Sequence, residues 1–159
     1  MVSQTKGGTQ VSEEGKSDFA PLNDFLCFSI YSAGHALTQY YRPMLESLGL
    51  TYPQYLLMVT LWAEDDQIIK DLGNKLFLES STLTPLVKRL ESAGLITRNR
   101  DPQDERQVRV KLTEAGWALK AEALKVPNCI QDAVGLSTEK IMEIQAAVAG
   151  IRDRLIEKK

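Results

Sequence analysis

LESSTLTPLVKRLESAGLITRNRDPQDERQVRVKLT, residues 78–113, decides the fold. In its first half Leu83, Leu86, Val87 and Leu90 fall on one face of a helix. Glu79, Ser80, Ser81 and Thr82 supply the cap chemistry that starts such a helix, and Gly94 is a natural stop. Pro85 is expected close to the helix start, because deeper in it forfeits a backbone hydrogen bond. The period then changes. Leu95 to Arg98 and Val108 to Leu112 alternate apolar and polar, as half-buried strands do. The turn formers and charges from Asn99 to Arg106 lie between them, so the second half reads as a β-hairpin with a long exposed tip.

Upstream, Ile69 to Leu78 reads as a short helix with Leu72 and Leu76 on its buried side. Asp65, Asp66 and Gln67 read as a loop. Thr51 and Gln54 form a capping-box pattern with Pro53 in the tolerated first turn, so a helix runs from there to about Glu64. Leu22, Leu26, Ile30, Ala33, Leu37, Tyr41, Met44 and Leu48 step by three or four along a long amphipathic helix that Pro43 kinks or divides and Gly49 ends.

Downstream, Thr113 caps a helix carrying Ala115, Leu119 and Leu124, which Pro127 and Asn128 interrupt. Ser137 to Glu139 open a last helix. There Ile141, Ile144, Val148, Ile151 and Leu155 repeat at heptad spacing, the pattern of a helix that seeks a partner helix.

The expectation is a mainly α protein with a small β-hairpin wing: a winged helix-turn-helix core over about 52–112, flanked by dimerisation helices over about 20–48 and 113–158. Residues 18–159 form one domain in this reading. Residues 1–17, rich in Gly, Ser, Thr, Gln, Lys and Glu, are expected to be a disordered tail.

Composition narrows the function. Hydrophobic residues at 43% and charged residues at 25% are the balance of a globular protein. No apolar run approaches about 18 residues, and the start lacks a basic-then-apolar leader pattern, so a cytoplasmic protein without a membrane span is expected. The net charge of −2 argues against indiscriminate nucleic-acid binding. Between Lys70 and Lys111, however, nine basic residues face six acidic ones, a local excess that fits a nucleic-acid footprint. One histidine, His35, and two cysteines are too few for a metal site, and no metal or cofactor is expected.

The helix around Leu83 is the candidate reader of a duplex. Its outer side offers Ser80, Ser81, Thr82, Thr84, Pro85, Lys88 and Arg89. Small hydroxyl residues let the backbone approach base edges in the major groove, and the cations suit phosphate or a guanine edge. Arg98 and the hairpin tip add further contacts. Arg106 there is placed for a narrow minor groove, with Asp104 positioned to hold its guanidinium bidentately.

Leu78 to Glu91, Gly94 to Arg98, and Asp104-Glu105-Arg106 together resemble the MarR family of bacterial repressors, over roughly Leu22 to the C-terminus. That resemblance implies a homodimer with intertwined terminal helices on a pseudo-palindromic operator. Leu26-Cys27-Phe28 with Tyr31, Tyr41-Arg42-Pro43, and Leu50 to Tyr55 resemble its organic-hydroperoxide-sensing (OhrR-type) branch. This further resemblance implies that Cys27 is the sensing thiol, that Tyr41 and Tyr52 hydrogen-bond its sulfur, and that Cys129 is the resolving thiol of the two-cysteine subgroup. The inducer is then an organic hydroperoxide.

Fourteen residues separate Cys27 from Tyr41, about 21 Å along a straight helix, so a contact requires the partner's helix. Tyrosine hydroxyls favour a thiolate, the form that attacks peroxide. Phe25, Phe28 and Tyr31 give the thiol apolar company that suits an organic peroxide.

Other readings stay open from the residues alone. A free cysteine is commonly a small buried hydrophobe, and Cys129 admits that reading and the resolving one equally. A repressor released by a small ligand is the main alternative. A thiol peroxidase and a winged-helix interaction module that no longer reads DNA are the others. Loss of response in Cys27→Ser separates thiol sensing from ligand release.

Overall fold

The computed structural model describes residues 20–158. The tail expected over residues 1–17 lies outside them. The chain divides into two compact units, one ending at Leu37 and one starting at Thr38.

In the first unit, a 3-10 turn at Leu22–Asp24 precedes the start of α1 (Leu26–Ser47). None of its described residues is buried, and Leu22, Phe25, Leu26, Ile30 and Tyr31 are all exposed. Among the described residues nothing covers this apolar stripe.

The second unit holds the core. Pro43 lies inside α1, which continues through it to Ser47, so a new segment does not begin there. Gly49, at φ +68°, ends the helix as expected, and the Leu50 N–H donates back to the Leu45 carbonyl at 2.9 Å. Then follow α2 (Tyr52–Ala63), a two-residue strand β1 (Gln67–Ile68), α3 (Ile69–Leu76) and α4 (Ser80–Ser92). The capping box at the start of α2 forms as the sequence indicates, with the Thr51 N–H donating to Gln54 Oε1 at 2.8 Å.

The hairpin strands are β2 (Ile96–Arg100) and β3 (Val108–Leu112), antiparallel with Arg98 opposite Val110. The strand β1 adds to the other side of β3, giving the order β1-β3-β2. The loop expected at Asp65–Gln67 is therefore shorter, because Gln67 pairs with Val110. Four short or long helices follow: α5 (Glu114–Ala118), α6 (Lys120–Ala123), α7 (Val126–Val134) and α8 (Thr138–Ile156). Thr113 caps α5 by accepting from the Gly116 N–H at 3.0 Å, and Ser137 caps α8 by accepting from Lys140 N–H at 3.3 Å. Pro127 does not interrupt a helix; it occupies the first turn of α7, where it is tolerated.

Leu57, Met58, Leu61, Leu72, Leu83, Val87, Leu90, Ile96 and Val110 pack into one core, so α2, α3, α4 and the sheet share a single interior. Two sequence expectations for α4 need correction. Its N-cap is Glu79, without a side-chain cap bond, and Ser80, Ser81 and Thr82 already lie in the first turn. Pro85 sits in the second turn, inside the helix, where it denies the Ser81 carbonyl its usual donor. Burial of Leu83, Leu86, Val87 and Leu90, each about 1.5–3 kcal/mol, outweighs that loss of about 3 kcal/mol.

Candidate nucleic-acid interface and thiol site

The packing of α4 decides which residues face outward. With Leu83, Leu86, Val87 and Leu90 buried, Ser80, Ser81, Thr82, Pro85, Lys88 and Arg89 are exposed and Thr84 is half-buried. The hydroxyls are not used for capping, and Lys88 and Arg89 make no ion pair among the described residues. The face is thus a row of short donors at the N-terminal end with two free cations behind it, an arrangement suited to base edges and phosphates.

Arg98 is placed differently. Its guanidinium grips Glu91 on α4 through two nitrogens, at 2.6 and 2.8 Å, and this hydrogen bonding holds the Glu91 carboxyl below the ordinary carboxylate range. It ties β2 to α4.

The wing tip is internally braced. Asp101, buried, accepts the Gln103 and Asp104 N–H groups on one carboxylate oxygen and Arg109 on the other, at 2.9 Å. Arg109 also donates to Asp66, at 2.8 Å to the carboxylate and through a second bond to the carbonyl. Asp66 is held at φ +57°, outside the usual range for a residue with a side chain. The Arg109 hydrogen bond, with the two backbone donors, lowers the Asp101 pKa.

Asp104 accepts from the Gln107 side chain at 3.1 Å, and from both the Arg106 backbone and its Nε at 3.1 Å. These contacts lower its pKa too, Gln107 first. The expected bidentate guanidinium pair is therefore replaced by one guanidinium contact plus one backbone contact on the same oxygen. The rest of Arg106 projects freely, with 92% of its side chain exposed. The Asp66–Arg109–Asp101 clasp escaped the sequence reading, since nothing local links residues 43 apart.

The thiol residues fall in separate units. Cys27 is exposed on the first turn of α1, beside half-buried Phe28. Tyr31, one turn on, is exposed and stacks on His35 with ring centroids 6.4 Å apart. In the second unit, Tyr41 on α1 stacks on Tyr52 at the start of α2, with centroids 5.3 Å apart. Tyr55, buried, donates to the Ala123 carbonyl at 3.3 Å. Burial, then the neighbouring Tyr52, Tyr55 and Cys129, raises the Tyr41 pKa; burial raises Tyr52 as well. These phenols therefore keep their protons and remain donors.

Cys129, half-exposed on α7, lies beside this cluster. Tyr40 donates to its carbonyl at 3.4 Å, and its own Sγ contacts the Lys125 carbonyl at 3.6 Å. The thiol opens onto a cleft of about 180 Å³ floored by Met44, Leu48 and Val126. Both cysteines are free. Tyr55 belongs to the Leu50 to Tyr55 stretch that carries the family resemblance and is buried in the core, whereas Tyr40 joins the site only through folding, and its spacing carries no distinguishing signal.

Comparison with known proteins gives three findings. Residues 39–123 match the family described as transcriptional regulator SarA/Rot. The organic hydroperoxide resistance transcriptional regulator of Bacillus subtilis is 39% identical over 145 residues, spanning 91% of this chain and 99% of that protein. AbfR of Staphylococcus epidermidis is similar in structure. Its reduced, DNA-bound form is 33% identical with a TM-score of 0.71, covering 82% of this chain and 91% of that one. Its disulfide-formed state is 32% identical with a TM-score of 0.60, covering 79% and 88%.

Proposed function

The chain belongs to the MarR-like winged-helix transcriptional regulators, DNA-binding proteins and not enzymes, and from that premise we propose that it is a homodimeric repressor released from its operator by organic hydroperoxide. The observation that carries the DNA half is the outward row from Ser80 to Arg89 beside the projecting Arg106. In this reading α4 enters the major groove, the wing reaches the adjacent minor groove, and Arg98 steadies α4 through Glu91. Dimerisation is supported by two uncovered apolar faces: the Leu22–Leu37 stripe, and the α8 heptad face, on which Ile144, Val148 and Leu155 are exposed.

The redox half rests on the tyrosine cluster beside Cys129 and on the similarity to the hydroperoxide-resistance regulator. The Cys27 thiolate attacks the terminal peroxide oxygen. The O–O bond breaks, the alcohol leaves, and Cys27 becomes a sulfenic acid. The partner's Cys129 thiol then displaces the sulfenic hydroxyl as water, closing an intersubunit disulfide. Tyr41 and Tyr52, kept protonated by burial, act as donors to the sulfur in the assembled dimer. A disulfide requires the two Cα atoms within roughly 7 Å, so forming it shifts the helices that carry the reading heads.

Non-reducing gels after organic hydroperoxide test the covalent step. A dimeric band is expected for the native protein and a monomeric band for Cys27→Ser and for Cys129→Ser. A monomeric band for all three refutes the intersubunit bond. The cleft of about 330 Å³ beside Tyr52 and Arg42 is the observation that favours a second reading, release by a small ligand. A Cys27→Ser protein that still derepresses normally would establish it.

A further inference from the structure

Phe77 closes α3 in the left-handed region, at φ +55°, a conformation that glycine or asparagine usually takes there. A bulky side chain in that region is an outlier. Burial in the core does not explain it, because Phe77 is 55% exposed. Its ring instead meets the guanidinium of Arg152 on α8, whose central carbon lies 4.2 Å from the ring centroid. Two nitrogens of Arg152 meet the Asp153 carboxylate at 2.8 Å, so the edge of the guanidinium is paired and its face is left for the ring.

The turn beneath Phe77 is stiff. The Leu78 N–H donates to the Gly73 carbonyl at 2.9 Å, and the Leu78 carbonyl oxygen stands 3.0 Å from where a methyl carbon on Gly73 would lie. Glu79, the next residue, accepts the first N–H groups of α4, from Thr82 and Leu83, at 3.0 and 2.9 Å. A displacement of Phe77 therefore carries α4 with it. On α8, Arg152 stands at the edge of the apolar stripe of Ile144, Val148 and Leu155.

We propose that the contact of Arg152 with Phe77 is a strut that sets where each α4 stands in the dimer, making Arg152 a positioning residue for the spacing of the operator half-sites. The inference rests on the dimeric DNA-reading assignment above and deepens it. Half-sites read by a dimer lie about 34–36 Å apart, one turn of the duplex, so one base pair more or less displaces a reading helix by about 3.4 Å. Taken up by one subunit along the contact, that displacement carries the cation past the roughly 6 Å at which a ring still attracts it. The strut thus opposes altered spacings and leaves the base contacts within each half-site alone. A left-handed backbone with an aromatic side chain is retained because the ring is what α8 holds.

The test is fluorescence anisotropy of the reduced, full-length protein on a duplex that it has selected from a random pool. The same duplex is also made with the half-sites moved apart or together by one and two base pairs. Native binding is expected to be sharply greatest at the selected spacing. An exposed cation–π contact is worth at most about fivefold, so Arg152→Met, which removes two per dimer, lowers affinity there by up to about twenty-five-fold and flattens the spacing profile. Phe77→Asn, which accepts the left-handed backbone without a ring, does the same, and the double variant is no worse than either single one. Arg152→Lys and Phe77→Tyr, which keep a cation and a ring, restore the sharp profile. Melts and sedimentation check that each variant is a folded dimer. A profile in Arg152→Met as sharp as the native one, losses that add in the double variant, or a flat native profile overturns the strut and leaves the DNA reading intact. A native protein that binds no duplex overturns the DNA reading itself.

Discussion

Gly116→Ala is the substitution whose cost follows most directly from the structure. Gly116 is buried in α5, where the chain leaves the wing for the helices beyond it. A methyl carbon at that position would stand 2.1 Å from the Leu95 carbonyl oxygen and 3.1 Å from Leu112 Cδ2. Ordinary contact requires about 3.5 Å, so the helix has to retreat by more than about 1 Å. The obstacle is backbone, already fixed by the Thr113 N–H donating to that carbonyl at 3.1 Å, and it has no rotamer to change. Retreat also pulls the Gly116 carbonyl from Trp62, whose buried Nε1 donates to it at 2.9 Å.

Overpacking costs about 1–3 kcal/mol, and an orphaned buried donor about 1–3 kcal/mol more. Better helix propensity of alanine returns up to about 1 kcal/mol. The net is about 3 kcal/mol, which for a chain of this size lowers Tm by about 6–12 °C. Thermal unfolding of the reduced protein, followed by circular dichroism, measures it. A Tm within about 2 °C of the native value would refute the close approach of α5 to the turn before β2.

Other outcomes follow from the braced wing and the tyrosine cluster. Arg109→Met is expected to weaken operator binding severalfold in the native background and far less once Arg106→Ala has been made, because Arg109 acts by placing the wing; equal losses in both backgrounds would show an independent role. The carboxyls of Asp101, Asp104 and Glu91 are held below their ordinary range, so the stability they confer is present above about pH 4 and is lost as pH falls through their depressed values. Asp101→Asn should flatten that acid limb in melts taken at successive pH values, and an unchanged limb would remove Asp101 from the account. Tyr41→Phe and Tyr52→Phe should slow oxidation of Cys27 by about ten- to a hundredfold, as loss of a hydrogen bond to a charged group does, measured by stopped-flow with a thiol probe; native rates would separate the phenols from the thiol.

Where local chemistry determines structure, the sequence was readable. The Thr51–Gln54 box, the Thr113 and Ser137 caps, the stop at Gly49 and the apolar stripe of α4 all depend on near neighbours, and each stands where its spacing indicated. The strand β1 has two residues and hence no period to detect; only pairing with Val110 and Arg109 creates it. Pro85 stands deeper in α4 than backbone preference alone dictates, because burial of Leu83, Leu86, Val87 and Leu90 outweighs its cost.

In the site the same division holds. The outward hydroxyls and cations of α4 followed from its period. The clasp of Arg109 to Asp66 and the gathering of Tyr40 and Tyr55 near Cys129 arise from contacts between distant parts of the chain, and the commitment of Arg98 to Glu91 arises where β2 folds back beside α4. Of the free thiols, Cys27 is exposed on α1 although its neighbours are largely apolar, a placement that periodicity alone does not specify.

Release of DNA on oxidation is the step on which the account turns. The direct measurement is anisotropy of a labelled operator duplex held by reduced protein while cumene hydroperoxide is added to one equivalent per subunit. The account predicts that the native complex dissociates, that dithiothreitol restores it, and that Cys27→Ser remains bound throughout. A native complex that stays intact after oxidation, or a Cys27→Ser complex that dissociates as readily, would contradict it.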